Sequence, residues 1–240
     1  MTDARFTRRT LLAAGTAGTG LFLAPSSRGA QAARQTRDEE KEVGAAEDLM
    51  REHGVLRRAL LVYRESATRL RAASRSIDWQ PLHETALLFR SFGEDYHERK
   101  LEEAHIFPAV RKAGGPAASD VDTRIDQHRR GREITDYILE VTSKGALTTP
   151  DAESLARVFD SLDLMYENHA AREDTIVFPA WKATLSPRQL DEMGELFEEI
   201  ERRTFGHDGF EDAIAKIGRI EQTLGFADIA QFTAPPPPKA

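Results

Sequence analysis

Histidine recurs along this chain inside apolar stripes of helical period, a pattern that few folds can accommodate. Leu49, His53, Leu56, Leu60 and Tyr63 step by four and three residues, the spacing of one helix face. Ile125, His128, Ile134, Ile138 and Val141 share a second face, and Leu155, Leu162, Met165, His169 and Ile176 a third. The breaks between the stripes carry helix punctuation. Asp78 is a good N-cap with Pro81 tolerated in the first turn, and Ala113-Gly114-Gly115-Pro116 is a strong stop. Ser119 or Asp120 can cap a third helix, the stretch 145–150 ends it, and Ser186-Pro187 opens a fifth helix. Residues 206–209 lead into a sixth that ends near Gly225. No segment alternates in the manner of a strand. The expectation is an all-α protein, an up-down-up-down four-helix bundle over 43–184 with two short C-terminal helices over 185–226. A Pro-rich tail, 227–240, follows.

The first 32 residues read differently. Arg5, Arg8 and Arg9 form a positive start, Leu11 to Ala24 is apolar and small, and Ala30-Gln31-Ala32 offers a cleavage site. Thr7-Arg8-Arg9-Thr10-Leu11-Leu12 resembles a twin-arginine export signal. Residues 33–42 read as a charged tether. The chain is therefore expected to be exported, periplasmic or extracellular. Its apolar stretch is too short for a comfortable span, and no Cys is present to carry a lipid, so no stable membrane anchor is expected after cleavage. The twin-arginine route carries folded proteins, which favours a cofactor loaded before export.

Composition narrows the chemistry. With 33 Lys+Arg against 40 Asp+Glu the net charge is −7, the wrong sign for a dedicated nucleic-acid binder. The absence of Cys excludes disulfides, thiolate zinc sites, iron–sulfur clusters and Cys nucleophiles. A metal here must be held by His and carboxylate.

An internal echo supplies both. The run from Glu94 through Tyr96, His97, Glu98, Glu102 and His105 closes on Ile106-Phe107-Pro108, and the run from Tyr166 through His169 and Glu173 closes on Val177-Phe178-Pro179. Each follows a helix with one His on its apolar stripe, His53 and then His128, which suggests a duplicated helix pair around a pseudo-twofold axis. His169 and Glu173 stand at i and i+4 and point the same way from adjacent turns. A carboxylate facing a core must be paired, protonated or metal-bound. His83 lacks such support, and His105 reads as a packing group.

The paired segments ending in Phe-Pro, with single histidines on helices one and three, resemble the hemerythrin-like HHE cation-binding domain over roughly 45–182. The resemblance implies a four-helix bundle with a non-haem di-iron centre held by several His and two bridging carboxylates. The matching positions are His53, His128, His169, Glu173 and Glu102. The pattern departs from the family in three places. Counted back from Phe-Pro, the residue aligned with His169 is Glu98, so either Glu98 is the helix-two ligand or a π-bulge brings His97 round to join Glu102. His97 is favoured because a neutral imidazole adds no charge. Oxygen-carrying hemerythrins place a second His four residues on in helix three, where this chain has Arg132. Finally, His207 lies beyond helix four, where it either closes the site or is a surface residue.

Mixed imidazole and carboxylate donors in a helical bundle suit two iron ions, with manganese as the alternative. So many donors exceed a tetrahedral zinc set. A ferritin-like site needs Glu-x-x-His on two helices, and only Glu94-x-x-His97 fits. The expected function is that of an exported di-iron protein binding oxygen, nitric oxide or a related small oxidant. A redox enzyme acting on peroxide, nitric oxide or ferrous iron, with Tyr63, Tyr96 or Tyr166 as proton donor, is the alternative, and a metal-free interaction module the lesser one.

Overall fold

A computed structural model describes residues 43–72, 78–144 and 148–238. The expected signal and tether therefore lie outside the described residues. Among those described, the secondary structure is helical throughout, with no strand. Helix α1 is Ala45–Ala72. Helix α2, Trp79–Leu88, runs without interruption into a π-helical stretch, Phe89–Ile106, and then into α3, Phe107–Ala113. A single turn, α4 (Pro116–Ser119), leads to α5, Val121–Thr142. Helix α6, Thr149–Arg172, passes through a π turn, Glu173–Val177, into α7, Phe178–Ala183. Helices α8 (Pro187–Phe205) and α9 (Gly209–Leu224) follow, with a 3-10 turn at Ile229–Phe232.

The helix ends obey local chemistry. Asp78 accepts a hydrogen bond from the Gln80 N–H, Thr148 and Asp151 form a capping box, and Ser186 and Gln189 form another. Gly114, with φ of +73°, ends α3 in a conformation that side chains with a Cβ rarely adopt. Asp120 is the N-cap of α5 but makes no side-chain cap bond, so the cap expected there is only positional.

The last turns of the two π segments share a cause. Pro108 and Pro179 carry no N–H and would clash with the carbonyl four residues back in a regular helix. Widening the preceding turn relieves this, and the Phe107 N–H bonds to the Glu102 carbonyl as the Phe178 N–H bonds to that of Glu173, each an i→i+5 bond. The helix-two distortion is thus longer than the single-turn bulge expected from sequence. The helix-four turn, not anticipated at all, rotates Ile176 outward to 40% exposure and buries Val177 and Phe178 in its place.

Leu49, Leu56, Leu60, Tyr63, Ile138, Val141, Leu155 and Leu162 are buried as their stripes require, while Ile125, Ile134 and Met165 are half-buried. Helix α1 packs extensively along α6, and α8 and α9 cover α1, α2 and the π-helical stretch. Trp181 stacks on Phe197 with ring centroids 5.8 Å apart, and Tyr96 meets Phe205 edge-on. Arg58 reaches Glu221 through two hydrogen bonds. No described helix is long and apolar enough to cross a membrane.

Candidate metal centre

Four imidazoles and two carboxylates converge in the interior. The donor atoms of Glu102, His128, His169 and Glu173 all lie within 4.8 Å of one another, as do those of His53, His97 and Glu102. Glu102 belongs to both groups. Its Oε1 lies 3.4 Å from His97 Nε2 and its Oε2 lies 3.3 Å from His128 Nε2. Glu173 spans the same divide, with Oε2 at 3.6 Å from His53 Nε2 and Oε1 at 2.9 Å from His169 Nε2. The π-helical backbone allows His97 and Glu102, five residues apart, to face one point. The regular end of α6 does the same for His169 and Glu173, four apart.

The far side of each ring is anchored. His53 Nδ1 meets Asp174 at 2.7 Å, His97 Nδ1 meets Glu52 at 2.5 Å, His128 Nδ1 meets Glu103 at 2.9 Å, and His169 Nδ1 meets Gln127 at 2.8 Å. Since all four partners offer an oxygen acceptor, each Nδ1 donates and each neutral ring presents a bare Nε2 lone pair inward. Yet His53 Nε2 lies 3.0 Å from His97 Nε2, and His128 Nε2 lies 3.0 Å from His169 Nε2. Lone pairs that close repel unless a cation or proton sits among them. None of the four oxygens of Glu102 and Glu173 receives a hydrogen bond, although both residues are fully buried. Buried charges of this kind are held by a pairing ion.

The protonation tendencies agree. Burial alone would depress the His97 imidazole, but Glu102 and Glu52 outweigh it and hold it well above its usual value. His128 is raised likewise, with Glu98, Glu102 and Glu103 overcoming burial. Burial would lift the Glu102 carboxyl, but His97 and His128 hold it well below the usual range. The cluster therefore draws in positive charge.

The echo in sequence is an echo in space. Arg57 bonds to Asp174 and Arg132 to Glu103, each Arg four residues after its helix's His. Phe178 stacks on His53 and Phe107 on His128, both at 24° between ring planes. Arg132, which stands where the oxygen carriers have a second His, thus supports an acceptor instead of offering a donor.

The remaining sequence candidates fall elsewhere. Glu98 stands on the outer side of the His128 ring, 3.9 Å from Nδ1, and accepts from the Tyr166 hydroxyl at 2.6 Å and from Arg132 at 3.1 Å. His207 pairs with Asp212 at the surface, so it does not close the site. His83 bonds to Thr142, and His105 packs against Phe197. Sequence reasoning missed Glu52, Glu103, Gln127 and Asp174, although each is the immediate chain neighbour of a cluster residue.

Below the cluster, Glu94 is buried against Thr135 and Arg90, and burial together with the nearby Glu98 pushes its carboxyl up to about 7. A carboxyl raised in the folded state from 4.5 lowers stability progressively as pH rises from about 4.5 to 7. Glu94→Gln is thus expected to raise the melting temperature at pH 8 by an amount worth on the order of 1–3 kcal/mol, and to change it little at pH 4.5. Thermal melts of both proteins at the two pH values check this; an equal shift at both would contradict it.

A helical domain with a buried cluster of imidazoles and carboxylates is a metal-binding helical protein. The chain belongs to the hemerythrin HHE cation binding domain family, whose model matches residues 44–181. Two curated relatives, each described only as an uncharacterized protein, come from Mycobacterium tuberculosis (strain ATCC 25618 / H37Rv) and Mycobacterium bovis (strain ATCC BAA-935 / AF2122/97). Each is 43% identical over 200 residues, covering 82% of this chain and 77% of the relative. No solved structure matches the chain significantly.

Proposed function

We propose that this chain is an exported, up-down-up-down four-helix di-iron protein that binds oxygen, nitric oxide or a related small oxidant. His53 and His97 would hold one ion, His128 and His169 the other, and Glu102 and Glu173 would bridge the two. The observation that carries the reading is the set of four buried carboxylate oxygens without a hydrogen bond, each beside an inward Nε2. The donor set suits iron or manganese, and such iron supplies redox chemistry and an exchangeable position for a small ligand. The protein's share is orientation. Asp174, Glu52, Glu103 and Gln127 fix the rings, and the surrounding Phe107 and Phe178 keep bulk water out. A metal-free interaction module fits poorly, because the orphaned carboxylates would be costly.

The redox-enzyme alternative finds support in Tyr166. Its ring lies 5.6 Å from that of His169 and its hydroxyl donates to buried Glu98, so a phenol held protonated by burial and Glu98 stands beside the centre. Elemental analysis of metal-replete protein is expected to give about two iron ions per chain. A spectral response to oxygen or nitric oxide without turnover supports the binding role; sustained consumption of peroxide or nitric oxide supports the enzyme. Protein without iron or manganese sinks both.

Export rests on the arginine pair. Arg8→Lys with Arg9→Lys keeps the charge but loses the guanidinium geometry. Precursor is expected to accumulate in the cytoplasm, and normal export of the double variant would overturn the twin-arginine reading.

A further inference from the structure

The two halves of the pseudo-twofold differ most at the approaches to the cluster. Leu49 and Arg124 stand four residues before His53 and His128, and Leu101 and Arg172 stand one residue before Glu102 and Glu173. In the first half, Leu49, Leu101 and Glu52 lie beneath Gly194 and Phe197 of α8, and only about 10 Å³ of space remains. In the second half no helix among the described residues lines the corresponding place from above. A cavity of about 300 Å³ opens there, lined by Arg124, Gln127, His169, Arg172 and, at its edge, Asp120. Helix α8 thus plugs one of two equivalent approaches and leaves the other open.

The open approach is also chemically distinct. Arg124 is only 3% exposed, yet its Nε–H finds no acceptor. Its other bond is from Nη1 to the His169 carbonyl at 3.2 Å, and the same nitrogen lies 3.6 Å from Glu173 Oε1. Arg124 nonetheless lines the cavity, which sets a buried positive charge in its wall. Arg172, exposed at the rim, bonds within its own helix to Asn168 and adds a second guanidinium. Two guanidiniums balance the Asp120 carboxylate and the Glu173 carboxylate beside Arg124, whereas the plugged side has no guanidinium and carries Asp48 and Glu52.

We propose that this cavity is the entry port of the centre and binds a small planar oxyanion, for which nitrite is the probe, with Arg124 as the principal donor and Arg172 as the rim charge. Binding in the cavity follows from its own residues; only the onward passage to the cluster rests on the di-iron reading. Planar oxyanions match the fork of a guanidinium.

Calorimetric titration of the full-length mature protein with sodium nitrite tests this, with the iron content of each sample measured in parallel. Wild-type protein is expected to bind nitrite saturably at one site per chain. Arg124→Gln should weaken binding about tenfold or more, Arg124→Lys should recover part of the loss, and Arg172→Gln should weaken it severalfold while raising its salt dependence no further. Arg172 is exposed, so that variant keeps the test open if Arg124 variants fold poorly. Absence of saturable binding, or equal affinity in wild type, Arg124→Gln and Arg172→Gln, overturns the port. Nitrite bound through Arg124 in protein that holds no iron leaves the port standing and removes the di-iron reading. Iron present with nitrite indifferent to both arginines does the reverse.

Discussion

Glu102→Ala should reduce bound iron from about two ions per chain to fewer than one, a loss that only Glu173→Ala should match. Glu102 reaches both halves of the cluster, with one oxygen beside His97 and the other beside His128, as Glu173 does between His53 and His169. Removing Glu102 would take a donor from each ion at once and leave Glu173 as the one carboxylate between two like-charged ions. Because bound metal stabilises the folded state by mass action, the variant should also melt earlier in metal-replete buffer, by an amount worth about 3–4 kcal/mol if wild type binds well below the metal concentration used. In excess chelator that difference should largely vanish. Iron counting and paired melts read both effects, and undiminished iron in the variant would show that Glu102 is not a bridge.

The second large effect separates His97 from its neighbour. His97→Ala is expected to leave about one ion per chain, since His53 would then be the only imidazole on its side. Glu98→Ala should keep the full complement, because Glu98 meets His128 only at its outer Nδ1 and its oxygens accept from Tyr166 and Arg132. Its signature would be an altered Tyr166 environment, seen as a shift in the tyrosine ultraviolet difference spectrum with pH, since burial and Glu98 hold that phenol well above its ordinary range. Loss of an ion in Glu98→Ala with an intact complement in His97→Ala would reverse the assignment.

Much of this arrangement was legible in the residues, and the failures have a physical pattern. The stripes through His53, His128 and His169 announced inward faces because α1, α5 and α6 are regular helices there. Glu102 was found by its distance from Phe-Pro, and the odd spacing of His97 and Glu102 signalled a π distortion. Its length was not foreseeable, since i→i+5 bonding over Phe89–Ile106 leaves no mark in composition. Ile176 was misplaced for the same reason: a regular period was carried through a turn that is not regular. The Nδ1 acceptors stayed hidden because each serves a ring on another helix. Glu52 adjoins His53 but holds His97, and Gln127 adjoins His128 but holds His169. Only the packed bundle reveals such crossings. The contrast between the plugged and open approaches was equally hidden, because it depends on where α8 lies.

The central claim is that six residues hold two ions rather than one or none. Anomalous scattering at the iron edge from crystals of metal-replete protein addresses it directly. Two peaks are expected, one against His53 and His97 and the other against His128 and His169, with the Glu102 and Glu173 carboxylates reaching both. A single peak, or none within bonding distance of these side chains, would contradict the account.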